Sequence, residues 1–143
     1  MESVSQTASV AKSRLWTSRI LSGIAVLFML FDSTIHLMVI SPVVDAFNQL
    51  GYPVSLAIAL GIIELVCVVI HLVPRTSVLG AILLTGYLGG AVAANLRIGT
   101  PIFSNMLFPV YVGVLVWGGL YLRDARLREL FPIRRTVIEI GKT

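Results

Sequence analysis

Asp32, His36, Glu64 and Arg97 fall within apolar stretches long enough to cross a bilayer. Carboxylates, an imidazole and a guanidinium in that setting can relay protons, hydrogen-bond the polar head of a small molecule, or lock helices together as ion pairs. A charge at the centre of a membrane helix costs roughly 2.5–3.5 kcal/mol, whereas each Leu, Ile, Phe or Val contributes about 0.3–0.6 in return. One such residue per helix is therefore affordable, provided it turns inward and finds a partner.

The elements that must position these residues are legible from composition and spacing. Of 143 residues, 57% are hydrophobic and only 13% charged, and the mean hydropathy is +0.93. A soluble domain carries more charge than this to cover its surface. Four apolar segments, over about residues 20–40, 54–73, 78–98 and 106–122, each approach the roughly 20 residues that span ~30 Å of hydrocarbon. Proline-containing breaks separate them, at Ser41-Pro42, Gly51-Tyr52-Pro53, Pro74-Arg75-Thr76 and Gly99-Thr100-Pro101. The expected architecture is an all-α, integral membrane four-helix bundle over residues 14–123. Residues 1–13 are Ser/Thr-rich and predict a disordered tail, and residues 124–143 a basic one. Pro42 to Leu50 reads as a short amphipathic piece lying along the interface, with Val43, Val44, Phe47 and Leu50 apolar.

Orientation follows from the basic residues. Lys12, Arg14 and Arg19 precede the first span, Arg75 occupies the second connection, and Arg123, Arg126, Arg128, Arg134, Arg135 and Lys142 follow the fourth. The first and third connections have no Lys or Arg, which predicts four spans with both termini cytoplasmic. The net charge of +4 is thereby a matter of topology and does not call for nucleic acid. A cleaved signal peptide is not expected, because the first apolar run is long, carries Asp32 and His36, and precedes no small-residue cleavage pattern.

Depth brings the ionisable residues together. Counting 1.5 Å per residue puts Asp32 about 12 Å, and His36 about 6 Å, from the outer end of the first helix. Glu64 reaches ~15 Å into the second, and Arg97 lies near the outer end of the third. Asp32 and His36 share a face at i,i+4 spacing. Ala57, Gly61, Glu64, Val68 and His71 form one stripe, and Gly86, Gly90, Ala93 and Arg97 another. Gly61, Gly86, Gly90 and Ala93 are the candidate helix-packing residues, the Gly86/Gly90 pair as a GxxxG contact. The candidates for ligand binding or proton relay are Asp32, His36, Glu64, Asn95 and Arg97. If both stripes face inward, Asp32, Glu64 and Arg97 make one electrostatic unit, with His36 bonded to Asp32. The alternatives are a structural ion-pair network and an Arg97 that snorkels to headgroups.

Other chemistries lack support. Cys67 is the only cysteine, so no intramolecular dithiol couple can form. His36 and His71 lie ~20 Å apart along the normal and cannot clamp one haem. Neither HExxH, P-loop nor GxSxG occurs. Asp32, His36 and Glu64 are three mixed ligands without motif spacing, and no metal is expected on that basis.

Several stretches resemble the DoxX-like family of small bacterial membrane proteins. They include Arg19-Ile-Leu-Ser-Gly, Phe31-Asp32, His36-Leu37, Gln49-Leu-Gly-Tyr-Pro53 and Ala59-Leu-Gly-Ile-Ile-Glu64-Leu. Pro74-Arg-Thr and Leu79-Gly-Ala-Ile-Leu-Leu-Thr-Gly-Tyr-Leu-Gly-Gly-Ala91 continue the match, followed by Leu107-Phe-Pro109, Trp117-Gly-Gly-Leu120 and Leu122-Arg-Asp124. The resemblance implies a four-helix protein of the bacterial inner membrane. The family takes its name from a small subunit associated with a quinol or thiosulfate:quinone oxidoreductase, and the resemblance brings no catalytic residues. Where many members carry Lys, this chain has His36. The expected role is an accessory protein, not an enzyme on its own, that binds a small, quinone-like molecule in an outer-half pocket. A structural or assembly subunit, or a small transporter acting as an oligomer, are the alternatives. Its partners are the bilayer, a small hydrophobic ligand, and a second copy or a membrane complex.

Overall fold

The computed structural model describes residues 2–131, with side chains from Lys12 onward. Its elements are α1 (Glu2–Met38), α2 (Ser41–Leu50), α3 (Leu56–Leu72), α4 (Ser77–Arg97), a π-helical turn (Ile102–Met106), α5 (Phe108–Arg123) and α6 (Ala125–Leu130), with no strand among the described residues. Three segments are long and apolar enough to cross a membrane: Lys12–Met38, Ser77–Arg97 and Ile102–Arg123. The fourth apolar helix, α3, has 17 residues, at the short end of the range of about 17–25 that span a bilayer.

Two boundaries differ from expectation. α1 begins at Glu2, so the polar stretch read as a disordered tail over residues 1–13 continues the helix. No Gly or Pro interrupts residues 2–22, and each residue added to an existing helix gains a hydrogen bond without a new nucleation cost. Beyond α5 the chain forms α6, capped by the Asp124 carboxylate, which accepts from the backbone N–H groups of Arg126 at 2.9 Å and Leu127 at 3.3 Å. The remainder of the expected basic tail, residues 132–143, lies outside the described residues.

α1 packs against α3 and α5, and α4 against the same two helices, closing a ring. Its interior holds Ala25, Met29, Val68, Leu84, Val116 and Leu120, all essentially buried. Leu27, Phe31, Ile62, Ile82 and Val114 point outward and are exposed. An apolar exterior of this kind suits lipid, and a helix pairs its interior backbone amides within its own length.

Small residues set the crossings. A Cβ on Gly61 would sit 2.9 Å from His36 Cβ and 3.0 Å from the Ser33 carbonyl, so α3 touches α1 there. Gly80 lies against the backbone of His71, and Gly119 against Ser22. Close approach also lets Ser18 Oγ donate to the Gly119 carbonyl at 2.6 Å. Gly86 and Gly90 do not behave as the GxxxG reading expects. A Cβ on either would meet nothing within 4 Å, and Ala93 is exposed. The buried face of α4 runs instead through Ser77, Gly80, Ala81, Leu84 and Leu88. Gly86 stands about 200° round the helix from Leu84.

α2 starts with Pro42 and ends where Gly51 turns left-handed at φ 68°. It buries Val43 and Phe47 beside Ala57 of α3, as an amphipathic segment should. The corner before it is tight, with Val39 at φ 49°, a conformation that β-branched residues rarely adopt.

The two classes of glycine should separate in thermal unfolding of the detergent-solubilised protein. Gly80→Ala drives a methyl into the His71 backbone and is expected to cost about 1–3 kcal/mol or more. Gly86→Ala enters open space and gains helix propensity of up to ~1 kcal/mol. Equal destabilisation at the two positions would contradict the packing described.

Candidate functional site

A cavity of about 580 Å³ opens between the helices at the end of the ring where α2 lies. Its walls are apolar, from Phe28, Met29, Leu60, Ile63, Leu88 and Val112, and Phe47 and Leu50 of α2 border it. Gly86, Gly90 and Ala94 recur every fourth residue along α4 and leave the volume open on that side.

Polar atoms gather in one patch. One ligand atom from each of Asp32, His36 and Glu64 lies within 4.8 Å of the others. His36 Nδ1 is 2.9 Å from the Asp32 carbonyl oxygen and 3.4 Å from Asp32 Oδ2. A carbonyl only accepts, so Nδ1 carries a hydrogen, and in the neutral ring Nε2 has the lone pair. The ring also stands edge-on to Phe47, with centroids 5.8 Å apart.

Glu64 comes from the facing helix and is 0% exposed. The Tyr87 hydroxyl donates to its Oε2 at 3.0 Å, while Oε1 has no hydrogen-bond partner among the described residues. The inward stripe of α3 is the one its helical spacing predicts, with Ala57, Gly61, Glu64, Val68 and His71 all buried. Tyr87 was not singled out by its sequence context. Its signal is the spacing Tyr87, Ala91, Asn95 along α4, three residues that all border the cavity.

Asn95 reaches the cavity too, but its amide is occupied locally. Nδ2 donates to the Ala91 carbonyl at 2.9 Å, and Oδ1 accepts from Thr100 Oγ1 at 3.1 Å. Arg97 does not join the acids. Two residues beyond Asn95 is about 200° of helix rotation, which turns it away from the patch. Its guanidinium donates to the Leu50 carbonyl and stacks over the Tyr52 ring at 5.0 Å. The expected unit of Asp32, Glu64 and Arg97 is therefore replaced by Asp32, His36, Glu64 and Tyr87. The one acid–base side-chain contact among the described residues within ion-pair distance is His36–Asp32, charged on both sides only when the imidazole is protonated, and no Lys or Arg borders the cavity.

Two further residues lie elsewhere. Cys67 is buried in the core. His71 sits at the opposite end of α3, its Nδ1 hydrogen-bonded with the Ser77 carbonyl at 3.0 Å.

The position of Arg97 can be checked with double-mutant cycles on thermal stability. Arg97→Gln and Tyr52→Leu are expected to couple by about 0.5–1 kcal/mol through the lost cation–π contact. Arg97→Gln and Glu64→Gln should add within about 0.3–0.5 kcal/mol. Strong coupling to Glu64 would restore the ion-pair arrangement.

Comparison with known families gives one match. The model of the DoxX-like family covers residues 20–119, and the chain belongs to that family. No curated protein and no solved structure matches it. Together with three helices of spanning length and an apolar exterior, this makes the chain a membrane protein.

Proposed function

We propose that this DoxX-like chain is a four-span accessory protein of the bacterial inner membrane that holds a small apolar molecule with a polar head in its outer-half cavity. The observation that carries this reading is the cavity itself, with apolar walls and a single polar patch. Pockets that take small organic molecules have that composition. Its volume accommodates a ring with a length of attached tail. A quinone-like head suits the patch, because its carbonyls accept hydrogen bonds and a protonated carboxyl donates them.

The four-span arrangement rests on α3 crossing as well. Its 17 residues reach about 26 Å, enough for a slightly thinned or locally adapted bilayer. Apart from Arg97 at the outer end of α4, the basic residues then lie in the cytoplasm, as the positive-inside rule requires. Reporter fusions at Gly51 and Thr100 are expected to report outside, and one at Thr76 inside. A cytoplasmic signal at Gly51 would overturn the orientation.

Ligand binding is tested by extracting the protein in mild detergent and identifying small molecules that co-purify. Gly90→Leu should place a side chain in the cavity, because a Cβ at that position meets nothing within 4 Å. The expected outcome is a molecule present in the wild type and lost from Gly90→Leu, with thermal stability kept. An empty wild type, or a molecule retained in full by the variant, would count against the reading.

A further inference from the structure

We propose that Asp32, His36 and Glu64 bind one divalent first-row transition-metal ion, of the Zn²⁺, Fe²⁺ or Mn²⁺ kind, at the polar end of the cavity. The donor set is one imidazole nitrogen and two carboxylate oxygens. Imidazole suits these ions, and the absence of thiolate from the patch sets it apart from soft-metal sites.

Placement supports the donor chemistry. Asp32 and His36 stand one turn apart on α1, and Glu64 faces them from α3 across the contact at Gly61. One donor atom of each residue already lies within 4.8 Å of one from each of the other two. Ligands on a tetrahedral ion of that kind stand about 3.4 Å apart, so carboxylate rotation has to draw the donor atoms in to complete the set.

Two of the three ligands are also held from behind. The Nδ1 hydrogen bond to the Asp32 carbonyl leaves Nε2 as the ligating nitrogen of His36. The Tyr87 hydroxyl fixes Glu64 through Oε2 and leaves Oε1 as the donor. That oxygen is buried and unpartnered among the described residues, which a native interior tolerates poorly.

Charge fits as well. Ligation would ionise both carboxyls, placing two negative charges in a low-dielectric site whose lining has no Lys or Arg. Arg97 is engaged at Leu50 and Tyr52. A divalent cation restores neutrality in one step. Three protein ligands also fall short of the four to six such ions take, so the remaining positions go to water or to a molecule in the cavity.

The test uses untagged full-length protein in detergent, stripped with a chelator and titrated with Co²⁺ as a visible probe. The expected result is about one Co²⁺ per chain with d–d absorption, displacement by Zn²⁺, and a rise in Tm with Zn²⁺. Glu64→Gln and His36→Gln should abolish the absorption, and Tyr87→Phe should weaken binding about 10–100-fold. Gly90→Leu should keep the metal whether or not it loses an organic guest, which separates this site from the cavity's ligand. No stoichiometric Co²⁺ on the wild type would overturn the proposal, as would unchanged binding in Glu64→Gln and His36→Gln. Should a variant not fold, the stoichiometry and Zn²⁺ stabilisation of the wild type still decide.

Discussion

A carboxyl side chain with no exposure at all, set in a ring of helices whose outer surface is hydrocarbon, is the constraint around which the rest is arranged. Glu64 has no exposed surface, and no cationic side chain borders its cavity. Its surroundings make up for this piecemeal. Tyr87 satisfies one oxygen from α4, while Asp32 and His36 approach from α1. Gly61 lets the two helices come close enough for that approach. Removing the Tyr87 hydroxyl or the Gly61 contact would leave the carboxyl with fewer partners in a medium that supplies none.

The glycines divide the ring into two functional ends. Gly80 and Gly119 bring backbones together away from the cavity, beside His71 and Ser22. At the α2 end, Gly86 and Gly90 do the reverse and hold space open. The same residue type thus tightens one end of the molecule and hollows the other. Arg97 closes the α2 end by tying the last turn of α4 to the Leu50 carbonyl and the Tyr52 ring, which fixes the connection between α2 and α3.

Much of this was legible before any coordinates. Hydropathy and proline breaks place the long helices, and a 3.6-residue period finds the inward face of α3 down to His71. Amphipathicity finds α2 and its two buried residues. The face of α4 was harder, because apolar and small residues surround that helix on all sides and a membrane helix need not be amphipathic. A GxxxG pair reports close approach only where a partner helix is present, and at Gly86 and Gly90 the neighbour is a cavity. Arg97 was misplaced with that face. The trio of Asp32, His36 and Glu64 shared depth in the sequence, but their convergence depends on how α1 and α3 cross at Gly61, a tertiary fact that no local spacing encodes.

The open wall at Gly86 and Gly90 has an evolutionary consequence. Cavity volume here is written in side chains that are missing, not in core residues that interlock. A change at either position alters the shape of the chamber without asking any helix to move. Related chains can therefore drift in what they accommodate through single substitutions that selection on folding does not see. The polar patch, anchored on the opposite helices, keeps its chemistry while the room around it is remodelled.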